Sequence, residues 1–167
     1  MLLLAVDPSI RGTGFAILEG TNTKARCLEY GVISNAPKLS TSACLIAIHD
    51  RLTEVIKKYR PEALAIEKII YVQNYTTAII LGSARGVVLL TAAQGGLAIH
   101  EYPPKRIKQS VVGRGAAAKH QVAFMVRALL GLTETPPDDA ADAMAIGLTH
   151  LRMVSTGVEI MRKNASR

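Results

Sequence analysis

The stretch Leu2-Leu3-Leu4-Ala5-Val6 runs directly into Asp7, and it constrains the fold more than any other segment of the chain. An unbroken apolar run lacks the polar alternation of a half-exposed strand, so it suits a central strand covered on both faces. A carboxylate at the mouth of such a strand is costly unless something cationic meets it. Directly after Asp7 the chain turns through Pro8, Ser9, Arg11 and Gly12.

The remaining periodicity builds layers around that strand. GTGFAIL and ARCLEYGVIS read as two further strands, and the polar EGTNTK between them reads as a hairpin. From residue 40 to 59 the period changes. Leu45, Ile48, Leu52, Val55, Ile56 and Tyr59 recur at three and four, which predicts an amphipathic helix that stops before Pro61. EALAIE (62–67) is a short apolar run that again ends in an acid. A long apolar helix is predicted from Asn74 to about Gln94, closed by Gly95-Gly96, and LAIHEY (97–102) forms a fifth strand. PPKRIKQSVVG, AAAKHQVAFMVRALLG and an Ala-rich stretch after Pro136-Pro137 supply three more helices. The order predicts an α/β fold: a five-stranded mixed sheet, its first three strands antiparallel and leading into a parallel crossover, flanked by helices. Residues 1–154 form a single domain in this reading, and the polar, basic 155–167 is expected to fray.

A chain of 167 residues, half of them apolar, buries a proper core without metal or disulfide staples. Cys27 and Cys44 lie outside any metal-ligand spacing and no secretory leader precedes the first strand, so a reducing cytoplasm is the expected compartment. No membrane association is expected, because Ser83 and Arg85 interrupt the most apolar stretch, TTAIILGSARGVVLLTAA. The formal net charge is +7, and its distribution matters more than its sum. No acid falls between Glu101 and Glu134, whereas Lys105, Arg106, Lys108, Arg114, Lys119 and Arg127 do. A single-sign stretch of that kind favours an anionic polymer as partner.

Four acids stand at strand or helix ends. Asp7 closes the first strand, Glu67 closes ALAIE, and Asp139 and Asp142 in DDAADAMAIGL sit three apart at a helix start, on one face. If the first and fourth strands are neighbours, Asp7 and Glu67 lie side by side with the helical pair closing over them. Like charges in so small a volume require a divalent cation, and oxygen ligands without His or Cys at useful spacing point to Mg²⁺ or Mn²⁺ rather than zinc. His49, His100, His120 and His150 form no triad with any Ser or Cys; His49, His100 and His150 read as structural.

DPSIRGTGFAI, LAIEKIIYVQN, LGSARGV, KQSVVGRGAAAKHQV and DDAADAMAIGLTH, in that order across nearly the whole chain, resemble the RuvC Holliday junction resolvases, a branch of the ribonuclease-H-like fold. The resemblance implies a homodimeric, Mg²⁺-dependent endonuclease that resolves four-way DNA junctions by paired nicks in recombination and repair, through two-metal hydrolysis with Mn²⁺ able to substitute. It implies Asp7, Glu67, Asp139 and Asp142 as the catalytic, metal-binding carboxylates; the Asp-Ala-Ala-Asp match selects Asp139 over Asp138, which spacing alone does not. The basic run offers Lys105, Arg106, Lys108, Arg114 and Lys119 as DNA contacts; Lys119, which matches a family lysine, and Lys108 are the candidates to approach the scissile phosphate. The resemblance further implies engagement with a RuvAB branch-migration complex. Two departures from the family pattern stand out. Ser9 replaces the usual Gly after Asp-Pro, so the turn either avoids a Gly-only conformation or carries slight strain. The aromatic wedge expected three positions after the catalytic Glu is Ile70 here, with Tyr71 following, and either can insert into the junction.

Two other readings fit the fold. A catalytically silent nucleic-acid-binding module leaves the four acids without a purpose. A relative of the actin and sugar-kinase ATPases needs two copies of the domain around a nucleotide, and this chain holds one.

Overall fold

The computed structural model describes residues 1–69 and 74–165, with side-chain burial through residue 154. Ten elements follow one another: β1 (Leu2–Asp7), β2 (Gly12–Gly20), β3 (Ala25–Ser34), α1 (Thr41–Tyr59), β4 (Ala63–Glu67), α2 (Tyr75–Gln94), β5 (Ala98–Tyr102), α3 (Pro104–Val112), α4 (Lys119–Leu130) and α5 (Asp138–Ala165). The strands lie in the order β3-β2-β1-β4-β5. β1 pairs antiparallel with β2 and parallel with β4, and β4 pairs parallel with β5. β1 is therefore the central strand, as its unbroken apolar run requires.

Side chains on β1 alternate between two cores. Leu3 and Ala5 pack with Met144, Ile146, Leu148, Val126 and Ile107 beneath α3, α4 and α5. Leu4 and Val6 pack with Ile48, Leu52, Val55, Ala84 and Val88 beneath α1 and α2. Asp7 continues the Leu3–Ala5 face, and Glu67 continues the Ala65 face of β4, so both acids are directed to the side where α5 lies.

α5 comes unusually close to that face. A Cβ on Gly147 would stand 2.6 Å from Leu18 Cδ1 and 3.0 Å from Ala5 Cβ, and Ala140, Ala141, Ala143 and Ala145 are all buried. Small side chains along one helix face let its axis approach the sheet and bring the acids of its first turns to the ends of β1 and β4. The backbone of α5 is helical to Ala165, through the stretch expected to fray. On the opposite face Ser40 caps α1 by accepting from Ala43 N at 3.2 Å, and Asn74 caps α2 by accepting from the amides of Thr76 and Thr77.

Candidate active site

Three segments distant in sequence meet at the carboxyl ends of β1 and β4. A cleft of about 350 Å³ is lined by Asp7, Glu67 and Asp142 together with Lys108 of α3 and Lys119, the first residue of α4; Ile107, Val122 and Ala145 form its apolar floor. Lys119 Nζ lies 3.5 Å from Asp142 Oδ2. Asp139 is not among the residues that line the cleft; its carboxylate lies beside Gly12, where a Cβ on that glycine would sit 2.6 Å from Asp139 Oδ2.

The acids are electrostatically coupled. Burial, then the carboxylates of Asp142, Glu67 and Asp139, push Asp7 up to about 7, against a downward pull from Lys119. Glu67 is raised by burial and by Asp142, with Lys108 and Lys119 pulling it back. Asp142 is raised by burial, opposed by Lys119. Lys119 is raised in turn, chiefly by Asp142. The cation that Asp7 requires is thus Lys119 within the chain, and one lysine does not balance the set. Arg11, the cation nearest in sequence, is engaged elsewhere: its Nη1 donates to Ala36 O at 2.7 Å and to Leu39 O at 3.2 Å.

Gly14, which read as a strand residue, shapes the site. Gly14 faces Asp7 across the β1–β2 ladder, and a Cβ there would stand 1.8 Å from the carbonyl oxygen of Asp139. The start of α5 therefore rests on the backbone of β2 at a position only glycine leaves open. No local signal marks Gly14, because its neighbour lies in a segment more than a hundred residues away.

The other expected contacts separate. Lys105 and Arg106 are exposed on α3 and Arg114 is exposed in the α3–α4 connection, outside the cleft lining. Ile70 and Tyr71 lie outside the described residues. His150 is fully buried, its Nδ1 2.8 Å from the Tyr102 hydroxyl, and His49 pairs with Asp50 at 3.0 Å, so both are structural.

The family model "Crossover junction endodeoxyribonuclease RuvC" matches residues 3–150. The chain belongs to the RuvC family. A crossover junction endodeoxyribonuclease RuvC from Akkermansia muciniphila is 57% identical over 151 residues, 90% of each chain. The solved structure of T. thermophilus RuvC in complex with Holliday junction substrate superposes with a TM-score of 0.88 at 37% identity, covering 94% of this chain and 96% of that one. The yeast mitochondrial Holliday junction resolvase Ydc2 shares the fold, with a TM-score of 0.59 at 13% identity over 90% of this chain and 78% of that one.

Membership of RuvC brings an endodeoxyribonuclease activity and divalent-metal dependence. Among the described residues no three His, Cys, Asp or Glu side chains stand close enough together to hold an ion as they are. Asp142 is paired with Lys119 at 3.5 Å, which partly neutralises its charge. The donor set nonetheless fits a hard cation: oxygen ligands alone, with Asp7 pushed to about 7, a group that a divalent charge restores to its ionised form. The RuvC turn after Asp7 is unstrained despite Ser9. Among the described residues the only non-glycine with positive φ is Arg60, and the Ser9 turn is closed by Thr13, whose Oγ1 donates to Ser9 O at 2.5 Å.

Proposed function

We propose that this chain resolves four-way DNA junctions as a homodimer, each subunit nicking one of two opposed strands, in the bacterial cytoplasm. The observation that carries this reading is the cleft in which Asp7, Glu67 and Asp142 converge with Lys108 and Lys119, with Asp139 electrostatically coupled to Asp7. Asp7, Glu67, Asp139 and Asp142 would hold two Mg²⁺ ions, with Mn²⁺ as substitute. When bound, the ions supply a hydroxide nucleophile and neutralise charge on the leaving oxygen.

The protein side of the mechanism is positioning. β1 and β4 hold Asp7 and Glu67 on adjacent rigid strands, and α5 sets Asp139 and Asp142 on one helical face above them. Lys119 keeps Asp142 oriented and offsets negative charge where a phosphate would enter, and Lys108 reaches the same cleft from α3. Lys105, Arg106 and Arg114, exposed on the same basic segment, are suited to the DNA backbone beyond the scissile phosphate.

Pairing of subunits is supported by α2. The helix is apolar and long enough to cross a membrane by length and composition, yet only 22% of its most apolar window is buried. Tyr75, Ile79 and Leu90 are 90, 70 and 55% exposed. Gly82 and Gly86, which share a side of the helix with Ile79 and Leu90, have nothing within 4 Å of where a Cβ would be. A second copy crossing there would cover an apolar stripe with small residues at its centre. Recruitment of a RuvAB complex remains part of the proposal through family membership alone.

The test is cleavage of a synthetic four-way junction, a matched linear duplex and an RNA–DNA hybrid, each with Mg²⁺ and with EDTA. Only the junction should be cut, and only with Mg²⁺. Asp7→Asn and Glu67→Gln should abolish cutting while junction binding survives or tightens, because a charge that repels phosphate is removed. Loss of binding in step with loss of cutting would contradict the assignment of these acids.

A further inference from the structure

Arg85 is a largely buried cation outside the cleft. It sits on α2 with a side chain 11% exposed, its Nη1 donating to the carbonyl oxygen of Glu67 at 2.6 Å and its Nη2 2.8 Å from Glu101 Oε1. It comes from the α1–α2 side of the sheet, whereas the Glu67 carboxylate is directed to the α5 side. Arg85 therefore holds the backbone of Glu67 from beneath and does not compete for its carboxylate.

The register explains why that carbonyl needs a donor. Lys68 N donates to Tyr102 O on β5 at 2.8 Å, so in the same trans peptide unit the Glu67 carbonyl points the other way, toward β1. β1 and β4 pair in parallel with Val6 opposite Ile66. Continued by one residue, this places Asp7 opposite Glu67, and the amide that would meet the Glu67 carbonyl belongs to residue 8. Residue 8 is proline, which has no N–H. The strand ladder thus ends one bond short at the residue that must be held most firmly, and the Arg85 guanidinium replaces the missing donor. Glu101 completes the device: it lies opposite Ile66 in the β4–β5 register, on the α1–α2 side, and fixes the other arm of the guanidinium fork.

We infer that Arg85 is a positioning residue for the nuclease reaction, holding the Glu67 end of β4 in place of the ladder bond that Pro8 cannot make, and so linking the catalytic edge to α2. The inference rests on Glu67 as a metal ligand, and the experiment separates the two. Arg85→Lys retains the charge but cannot span both acceptors, Arg85→Met removes both contacts, and Glu67→Gln removes the carboxylate. Mn²⁺ binding is read without DNA by electron paramagnetic resonance, alongside junction affinity in EDTA, kcat for cleavage and the thermal midpoint.

Arg85→Lys and Arg85→Met should weaken Mn²⁺ binding and lower kcat by about ten- to a hundredfold, with junction affinity held within about twofold. Lys should be the milder change. Unchanged Mn²⁺ affinity and kcat in a folded Arg85→Lys protein would overturn the inference, even if its thermal midpoint falls, because that pattern belongs to a packing role alone. If Arg85→Met does not fold, Arg85→Lys decides by the same readouts. Glu67→Gln that binds Mn²⁺ and cleaves as the parent does would overturn the ligand assignment itself. Glu67→Gln inactive beside fully active Arg85 variants would overturn only the role of Arg85.

Discussion

Gly14 illustrates how a single missing side chain positions the edge where Asp7, Glu67 and α5 meet. Its Cβ would fall 1.8 Å from the Asp139 carbonyl oxygen, a helix backbone atom that cannot swing aside as a flexible side chain could. Gly14→Ala should therefore push the start of α5 off β2, costing about 1–3 kcal/mol of stability and displacing Asp139 and Asp142 together. Urea unfolding midpoint and cleavage rate should fall in the same variant, whereas Gly82→Ala, whose Cβ would meet nothing within the chain, should not lower the stability of the chain itself. His150 has a different consequence. Fully buried and bonded to Tyr102, with His100 as the other titratable group against it, it is pushed from 6.5 down to about 4 by burial first and by His100 second. Below the ordinary value the unfolded chain takes up a proton that the folded chain refuses. The stabilisation is complete above about 6.5 and is lost toward pH 4 at up to about 1.4 kcal/mol per pH unit. Urea midpoints should fall between pH 7 and pH 5, and His150→Gln should flatten that slope; an equal slope in the variant would contradict the assignment.

At the scale of elements, α2 has two working sides. Inward it carries Ala84 and Val88 into the core and Arg85 to the Glu67 carbonyl; outward it presents Ile79, Gly82, Gly86 and Leu90. Because Ile79 and Leu90 are exposed in the single chain, Ile79→Glu and Leu90→Glu should leave folding intact while placing a charge inside the proposed two-fold contact. Association should weaken by roughly a thousandfold, the cost of desolvating an unpaired charge, and sedimentation should show folded monomers. A dimer of unchanged affinity would move the interface elsewhere. The elements themselves were legible in the sequence because period and punctuation are local: the six apolar-to-acid residues of β1, the three-and-four spacing of α1, and the glycine stop after α2. Asp7 and Glu67 stood out because acids at the ends of apolar strands conflict with burial, whereas Asp139 was separated from Asp138 only by the family resemblance. Gly14 and Arg85 did not stand out. Both lie in segments that carry the family resemblance, DPSIRGTGFAI and LGSARGV, yet neither received a role there, since each acts on a backbone atom that sequence spacing cannot bring near. The strain allowed for at Ser9 is also absent, because Thr13 closes that turn in a conformation open to any residue.

For the whole molecule, the topology gathers function at one edge. Parallel β1 and β4 end together, α5 delivers its first turns there, and α3 and α4 bring Lys108 and Lys119 to the same cleft. The edge of a single chain holds one set of acids, whereas a four-way junction becomes two duplexes only when two opposed strands are cut. One cleft cannot make both cuts without rebinding, and a two-fold dimer presents two equivalent clefts in one encounter. The decisive measurement uses a dimer of one unaltered subunit and one Asp7→Asn subunit, acting on a junction extruded from a supercoiled plasmid that becomes linear only when both cuts fall within one binding event. The account predicts nicked circles from the mixed dimer and linear product from the unaltered dimer. Linear product from the mixed dimer at the unaltered rate would contradict it.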